Sequence, residues 1–343
     1  MHIYQRQKIH WFYELLSLAF IVLIISWLYF NWKINALGYQ VSNTWTFLSS
    51  SANFFISDHW LPFSPKDPTW YAILIASVNT FILGMSVMMS ATVFGFLFGI
   101  LSAYPKYKLQ WFASSYVDVF RNTPLVGQLF FWYFGVFYLM PQTEHIYYDG
   151  FVKVSIQSLS IYTGNLFFIL SFFYLIVGIY FLFLKRAFGM SLSFLLMSFI
   201  YFNFSHSHYF TMSVEWLALY TTLTFYTASY IAEIVKASLL SVPNAIDDAA
   251  IALGLNDKDK FKLVIYPIAL KSMRPMLINQ YITIMKNTSI GMLIGYPELM
   301  NVLTGTIINS TGQTLICVSL MMCIYLSVCL FCQFLFMRKH EPI

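Results

Sequence analysis

Residues 75–103 read IASVNTFILGMSVMMSATVFGFLFGILSA, with no Asp, Glu, Lys or Arg among them. A helix needs about 20 mostly apolar residues to cross a bilayer, and this run exceeds that length. Working outward, comparable runs lie at 11–31, 123–140, 166–184, 188–204, 214–235, 276–296 and 314–336. Only the Lys185-Arg186 turn separates the fourth span from the fifth. The pattern predicts an all-α polytopic membrane protein of about eight transmembrane helices. Composition agrees: 59% of the 343 residues are hydrophobic, 10% are charged, and mean hydropathy is +0.68. A soluble domain of this length needs more polar surface.

The net charge of +5 does not read as nucleic-acid binding, because the basic residues sit in short clusters between apolar runs. Placing both termini in the cytoplasm puts Arg6, Lys8, Lys106, Lys108, Arg121, Lys185, Arg186, Lys236, Lys258, Lys260, Lys262, Lys271, Arg274, Arg338 and Lys339 inside. Lys33, Lys66 and Lys153 fall outside and Lys286 falls within a span. Basic residues accumulate on the cytoplasmic side, so this split supports the span count and the orientation together. The first run is longer than a secretory signal core and ends in Trp27-Leu28-Tyr29-Phe30, which predicts an uncleaved span. Residues 32–74 read as an ordered outer loop with one or two short helices.

Cys329 and Cys332 form a C-x-x-C pair, but they lie in an apolar run with Cys317 and Cys323 and no second pair, where Cys acts as a small apolar residue. His206 and His208 flank Ser207 without thiol or carboxylate companions, a weak metal pattern; no metal site is expected. Asp118 and Arg121 stand one helical turn apart and read as a juxtamembrane pair.

The longest inner segment, 236–275, holds Ser241-Val242-Pro243-Asn244-Ala245-Ile246-Asp247-Asp248-Ala249-Ala250-Ile251-Ala252-Leu253-Gly254. Pro243 suits a helix first turn, Ser241 a cap before it, Asp247 and Asp248 the positive helix end, and Gly254 the left-handed closing residue. A second helix is expected to begin near Asn256-Asp257 and run towards Pro267, with charges alternating with Phe261, Leu263 and Val264 as at an interface. By pattern alone, the segment is either an amphipathic loop or a helix that seats its small residues in a partner's groove.

The order of its residues points further. Asp248-Ala249-Ala250, three residues, Gly254, nine residues, then Val264-Ile265-Tyr266-Pro267 resembles the EAA loop of binding-protein-dependent ABC permeases. Asp248 stands for the family's Glu and Tyr266 for its Leu, and Asn244-Ala245-Ile246 replaces its usual Lys-Gly-Gln. Asn79-Thr80, Phe120-Arg121-Asn122-Thr123-Pro124-Leu125, Ile231-Ala232-Glu233-Ile234-Val235-Lys236 and Lys286-Asn287-Thr288-Ser289 resemble further family motifs in the family's order. Gly295-Tyr296-Pro297-Glu298-Leu299 and Asn309-Ser310-Thr311-Gly312-Gln313 are most similar to the general L-amino-acid permease branch, which also has a long first outer loop and extra mid-chain spans.

The resemblance implies a type I ABC importer permease core of five spans: the second, third, sixth, seventh and eighth. The chain then divides into an N-terminal span and periplasmic loop (1–74), the first part of the core (75–142), inserted spans (143–212) and the second part of the core (213–337) with the EAA-type loop at 241–267. It implies a bacterial inner-membrane protein that imports polar L-amino acids. The implied partners are a periplasmic amino-acid-binding protein, a second, related permease subunit and a cytosolic ABC ATPase dimer, which holds the ATP and Mg; this chain binds no cofactor itself. ATPase coupling is expected at Asp248, Ala249, Ala250, Gly254 and Pro267.

For the substrate pathway the candidates are Asn79, Thr80, Glu233, Lys286, Asn287, Thr288, Ser289 and Glu298. A charge inside a span is costly and faces a cavity or a partner, so Lys286 is placed to meet a substrate carboxylate, and Glu233 or Glu298 its ammonium. The plainer alternatives are a structural partner for Lys286, a cytoplasmic-end position for Glu233 and an outer-surface position for Glu298. The chain has no G-x-x-x-x-G-K-[ST], no G-x-S-x-G and no H-E-x-x-H, so neither ATP binding through a phosphate loop nor hydrolase chemistry is expected of it. A gradient-driven secondary transporter is the alternative. It would be expected to show inverted repeats or broken helices, and no repeat is visible. A membrane enzyme would need clustered catalytic groups.

Overall fold

The computed structural model describes residues 2–38, 45–104, 109–147, 152–162 and 209–337. The expected spans at 166–184 and 188–204, with Lys185, Arg186, His206, His208, Lys106, Lys108, Arg338 and Lys339, lie outside the described residues, as do the side chains of Arg6 and Lys8.

Helix α1 (His2–Gly38) contains the first expected span, and every side chain from Leu15 to Phe30 is exposed. An apolar helix exposed all round suits lipid. Helix α2 (Thr69–Ala103) starts earlier than expected, directly after Pro68, whose fixed φ and missing N–H suit a helix start. Helix α3 (Gln110–Asn122) is amphipathic and ends at Thr123, which is extended (φ −96°, ψ 133°) because the ring of Pro124 excludes the helical region for the residue before it. The Gln128 amide spans that break, donating to the carbonyls of Phe120 and Thr123 at 2.8 and 3.1 Å. Helix α4 (Leu125–Phe130) then widens into a π-helical stretch, Phe131–Val136, and a 3-10 turn, Phe137–Leu139. Together these occupy the expected span 123–140.

Four short strands follow, β1 (His145–Tyr147), β2 (Val152–Val154), β3 (Ser158–Tyr162) and β4 (Tyr209–Ser213), forming one antiparallel sheet in the order β1-β2-β3-β4. The all-α expectation is corrected here. Each strand is too short to show a period, and the partner of β3 lies across residues 163–208, so only the fold pairs Tyr162 with Tyr209.

Helix α5 (Val214–Leu240) is capped by Ser213, whose Oγ accepts from the Trp216 N–H at 3.0 Å. Next come α6 (Asn244–Ala252), α7 (Asp257–Lys260), a π-helical stretch Phe261–Ile265 and α8 (Tyr266–Asn287). The expected span 276–296 thus begins ten residues earlier, at 266, and ends in a 3-10 segment, Thr288–Ile294. A further π-helical stretch, Asn301–Ile307, and the short α9 (Ile308–Thr311) lead to α10 (Thr314–Met337).

The core forms around α2, α5 and α8, with Leu83, Val87, Leu219, Leu223, Ile284, Met285 and Tyr296 buried in one cluster. Gly95 and Gly99 let α2 and α5 approach closely. A Cβ on Gly95 would lie 2.4 Å from Ile231 Cγ2, and one on Gly99 would lie 2.7 Å from the Ala232 carbonyl oxygen. This G-x-x-x-G spacing is a close-packing device of membrane helices. Among the described residues, α2 and Thr314–Phe334 of α10 are long and apolar enough to cross a membrane, with shorter apolar helices at Leu15–Asn31 and Leu125–Leu139. Helices α5 and α8 are more polar, so the count of eight remains an expectation.

Candidate functional site

The segment 241–267 folds as a two-helix elbow. Pro243 stands at the N-cap of α6, one position before the first turn expected for it. Ser241 closes α5 rather than opening α6, its Oγ donating to the Ser238 carbonyl at 2.9 Å. At the far end the Leu255 N–H reaches the Ala250 carbonyl at 3.2 Å and the Gly254 N–H reaches that of Ile251 at 2.9 Å. Gly254 has φ +77°. This is a complete Schellman closure, and the left-handed residue it needs is Gly. Asn256 caps α7, its Oδ1 accepting from the N–H groups of Lys258 and Asp259.

Of the α6 residues only Ala250 is buried. Asp248, Ala249, Ile251, Ala252 and Leu253 are exposed on the face turned away from Ala250, with Ile251 at 55% and Leu253 at 81%. Pro267 is exposed too. It does not end the second helix as expected: the π-helical winding at Phe261–Ile265 carries the chain into α8 past a residue that has no N–H to donate.

The polar candidates fall into three groups. The first joins α2 to the turn after Ile294. Gly295 (φ +80°) turns the chain inward, and Tyr296 and Glu298 have no exposed surface. The Asn79 amide donates to the Pro297 carbonyl at 2.9 Å and to that of Asp58, in the segment before α2, at 2.8 Å. The Thr80 hydroxyl accepts from the Leu299 N–H at 3.0 Å. The Glu298 carboxylate accepts from the N–H groups of Met300 and Asn301, each at 2.8 Å, and from the Tyr325 hydroxyl at 2.9 Å. Asn79, Thr80 and Glu298 thus form one knot, in which Glu298 caps a helix start rather than lying at a surface.

In the second group Glu233 pairs with Arg121 at 3.4 Å, both about 40% exposed, and the Arg121 guanidinium lies over the Tyr230 ring at 5.4 Å. Arg121 therefore serves α5 and not the expected Asp118. The third group is Lys286–Ser289. The Lys286 side chain is exposed on this chain, and among the described residues no ion pair joins it to Glu233 or Glu298. Asn287 is half-buried. Thr288 is buried and donates to the Met285 carbonyl, and Ser289 donates to that of Lys286, both at 2.8 Å.

Residues 95–342 match the family model of the binding-protein-dependent transport system inner membrane component. The chain belongs to that family. The YhdX permease protein of Escherichia coli K12 is 28% identical over 93% of this chain and 90% of its own length. The general L-amino acid transport system permease protein AapQ of Rhizobium johnstonii is 30% identical over 92% of this chain and 88% of its own length. Among solved structures, an amino acid ABC transporter with histidines shares the fold at a TM-score of 0.50 and 18% identity, covering 79% of this chain and 95% of that one.

Sequence reasoning missed several parts of the permease. Asp58 hydrogen-bonds the Ser213 hydroxyl, and both line a cavity of about 70 Å³ with His59, Trp60 and Trp216. Burial pushes the Asp58 carboxyl above its ordinary value of 3.8, and the Ser213 bond offsets only part of that. No local pattern announces this contact, which spans 155 positions. The Asp247–Lys260 pair across the elbow was equally silent, although Gly95-x-x-x-Gly99 was visible in the sequence.

Proposed function

We propose that this permease carries polar L-amino acids from the periplasm to the cytoplasm, coupled through α6 to a separate ATPase that binds the ATP and Mg. The observation that carries this reading is the exposed face of α6. A short helix held away from the core, with Ile251 and Leu253 uncovered and its end closed by Gly254, suits insertion into a groove on a partner. The printed names of AapQ and of the Rhodobacter capsulatus glutamate/glutamine/aspartate/asparagine permease BztB, 41% identical over 121 residues, support the substrate class. The excess of basic residues on one side supports cytoplasmic termini.

Two permease chains, this one and a related partner, form the pathway, and a periplasmic binding protein delivers the substrate. Within the pathway Lys286 meets the carboxylate: it is a charge in a span with an exposed face on the single chain, which a paired subunit or a polar passage would cover. Glu233, half-exposed beside Arg121, is the candidate for the ammonium. Asn79, Thr80 and Glu298 brace the pathway wall.

The test is purification of the tagged chain from its native membrane in mild detergent, followed by mass spectrometry and by uptake of labelled glutamate and glutamine. Recovery of a phosphate-loop ATPase that is lost on altering Asp248–Gly254 is the expected result. No ATPase, even after crosslinking from α6, would shift the reading to gradient-driven transport.

A further inference from the structure

Asp247 and Asp248 are neighbours, yet the helix turns them to different sides. Consecutive residues of an α-helix point about 100° apart. Asp248 is exposed, on the side offered to a partner. Asp247 faces back across the elbow, where its Oδ1 lies 2.9 Å and its Oδ2 3.1 Å from Lys260 Nζ. The Lys260 side chain is 15% exposed. The other acid near that ammonium is Asp257, at 3.9 Å and 87% exposed, so Asp247 holds the closer and better covered contact.

A helix of nine residues is not stable by itself, and α6 buries only Ala250. Its connection to α7 passes through Gly254, the residue whose dihedrals are least restricted. The Schellman bonds close the last turn of α6 but do not fix its direction against the next helix. The contact between Asp247 and Lys260 does, because it ties the first turn of α6 to the last residue of α7, 13 positions away. Asn256 secures only the start of α7 itself, its amide donating to Asp259 Oδ2 at 2.7 Å.

We infer that the Asp247–Lys260 pair is a positioning clamp that fixes the pitch of α6 against the arm formed by α7 and α8, so that movement imposed on α6 reaches the spans instead of being lost at Gly254. The inference rests on the reading of α6 as the ATPase-docking helix. It assigns the two acids separate tasks: Asp248 is presented to the partner, and Asp247 stiffens the lever.

The experiment uses the complete transporter in proteoliposomes and reads ATP hydrolysed per amino acid imported. Lys260→Met and Asp247→Asn should each keep ATP hydrolysis and raise that ratio about three- to tenfold, inside the roughly two- to thirtyfold span of coupling changes that single residues produce. The charge swap, Asp247→Lys with Lys260→Asp, should bring the ratio back towards the parent value. An unchanged ratio in the single variants, or a swap that restores nothing, overturns the clamp. If a single variant fails to assemble, the swap decides: assembly with a parental ratio supports the clamp, and failure overturns it. A crosslink from Ala249→Cys to the ATPase separates the two readings. Without the crosslink the docking role of α6 fails; with the crosslink and an unchanged ratio, only the clamp fails.

Discussion

Asp58 shows how much one side chain can depend on its surroundings. It is partly buried against the start of α5, and its carboxyl is raised above 3.8. A raised carboxyl binds a proton in the folded state at a pH where the unfolded chain has released it. Its contribution to stability is therefore full below 3.8 and lost as pH rises through the raised folded value. Asp58→Asn should remove that component: melting curves of the purified chain in detergent should flatten against pH in that window relative to the parent. Gly254 is the second informative residue. A Cβ there meets nothing within 4 Å, so Gly254→Ala should cost only the left-handed backbone strain, about 1 kcal/mol, and leave uptake measurable. Gly254→Pro cannot adopt the positive φ; it should abolish uptake while membrane abundance stays near the parent level. Gly254 was legible in the sequence because a helix end requires a local conformation. Asp58 was not, because its partner Ser213 is distant in sequence.

At the scale of elements, helix existence was legible and helix boundaries were less so. Apolar runs mark the part of a helix that meets lipid, but α8 starts ten residues before its run, through Lys271, Ser272 and Arg274, and α2 starts six residues before its run, at Thr69. Pro124 and Gly254 gave clean breaks, since Pro124 restricts the residue before it and Gly254 takes the left-handed conformation itself, whereas Pro267 did not, because a wider helical winding absorbs it. The contact of α2 with α5 depends on space. Gly99→Val would drive a side chain against the Ala232 carbonyl and Val235, and should destabilise the bundle by about 1–3 kcal/mol, read as a lower melting midpoint in detergent. Gly127→Ala is the control, its nearest outside atom being Pro124 Cβ at 4.0 Å, and should leave the midpoint unchanged or raise it.

For the whole molecule, the β3–β4 pairing brings Tyr162 opposite Tyr209, so the chain leaves and re-joins the described fold at one place. Residues 163–208 can then be replaced by a two-residue Asn-Gly hairpin turn. The sequence places two spans there, and removal of an even number leaves the orientation of later spans unchanged. The shortened chain should insert and still carry the ATPase through purification, with a C-terminal fluorescent reporter lit on the cytoplasmic side. A dark reporter would show that the deletion inverted the remaining spans.

The sequence by itself determined that this is a membrane permease, roughly where most of its helices run, and which loop turns on Gly254. Those features follow from local rules: apolar length, backbone freedom at Gly and Pro, and the linear order of family motifs. Only the tertiary structure decided that Asn79, Thr80 and Glu298 form one knot, that Arg121 answers Glu233, that Asp247 and not Asp248 holds Lys260, and that four short strands gather into a sheet. Each of these is a contact between segments far apart or differently oriented. A polar side chain inside a membrane bundle must find a partner, but many partners satisfy that demand equally in sequence. Packing geometry alone selects which of them lies within hydrogen-bond reach.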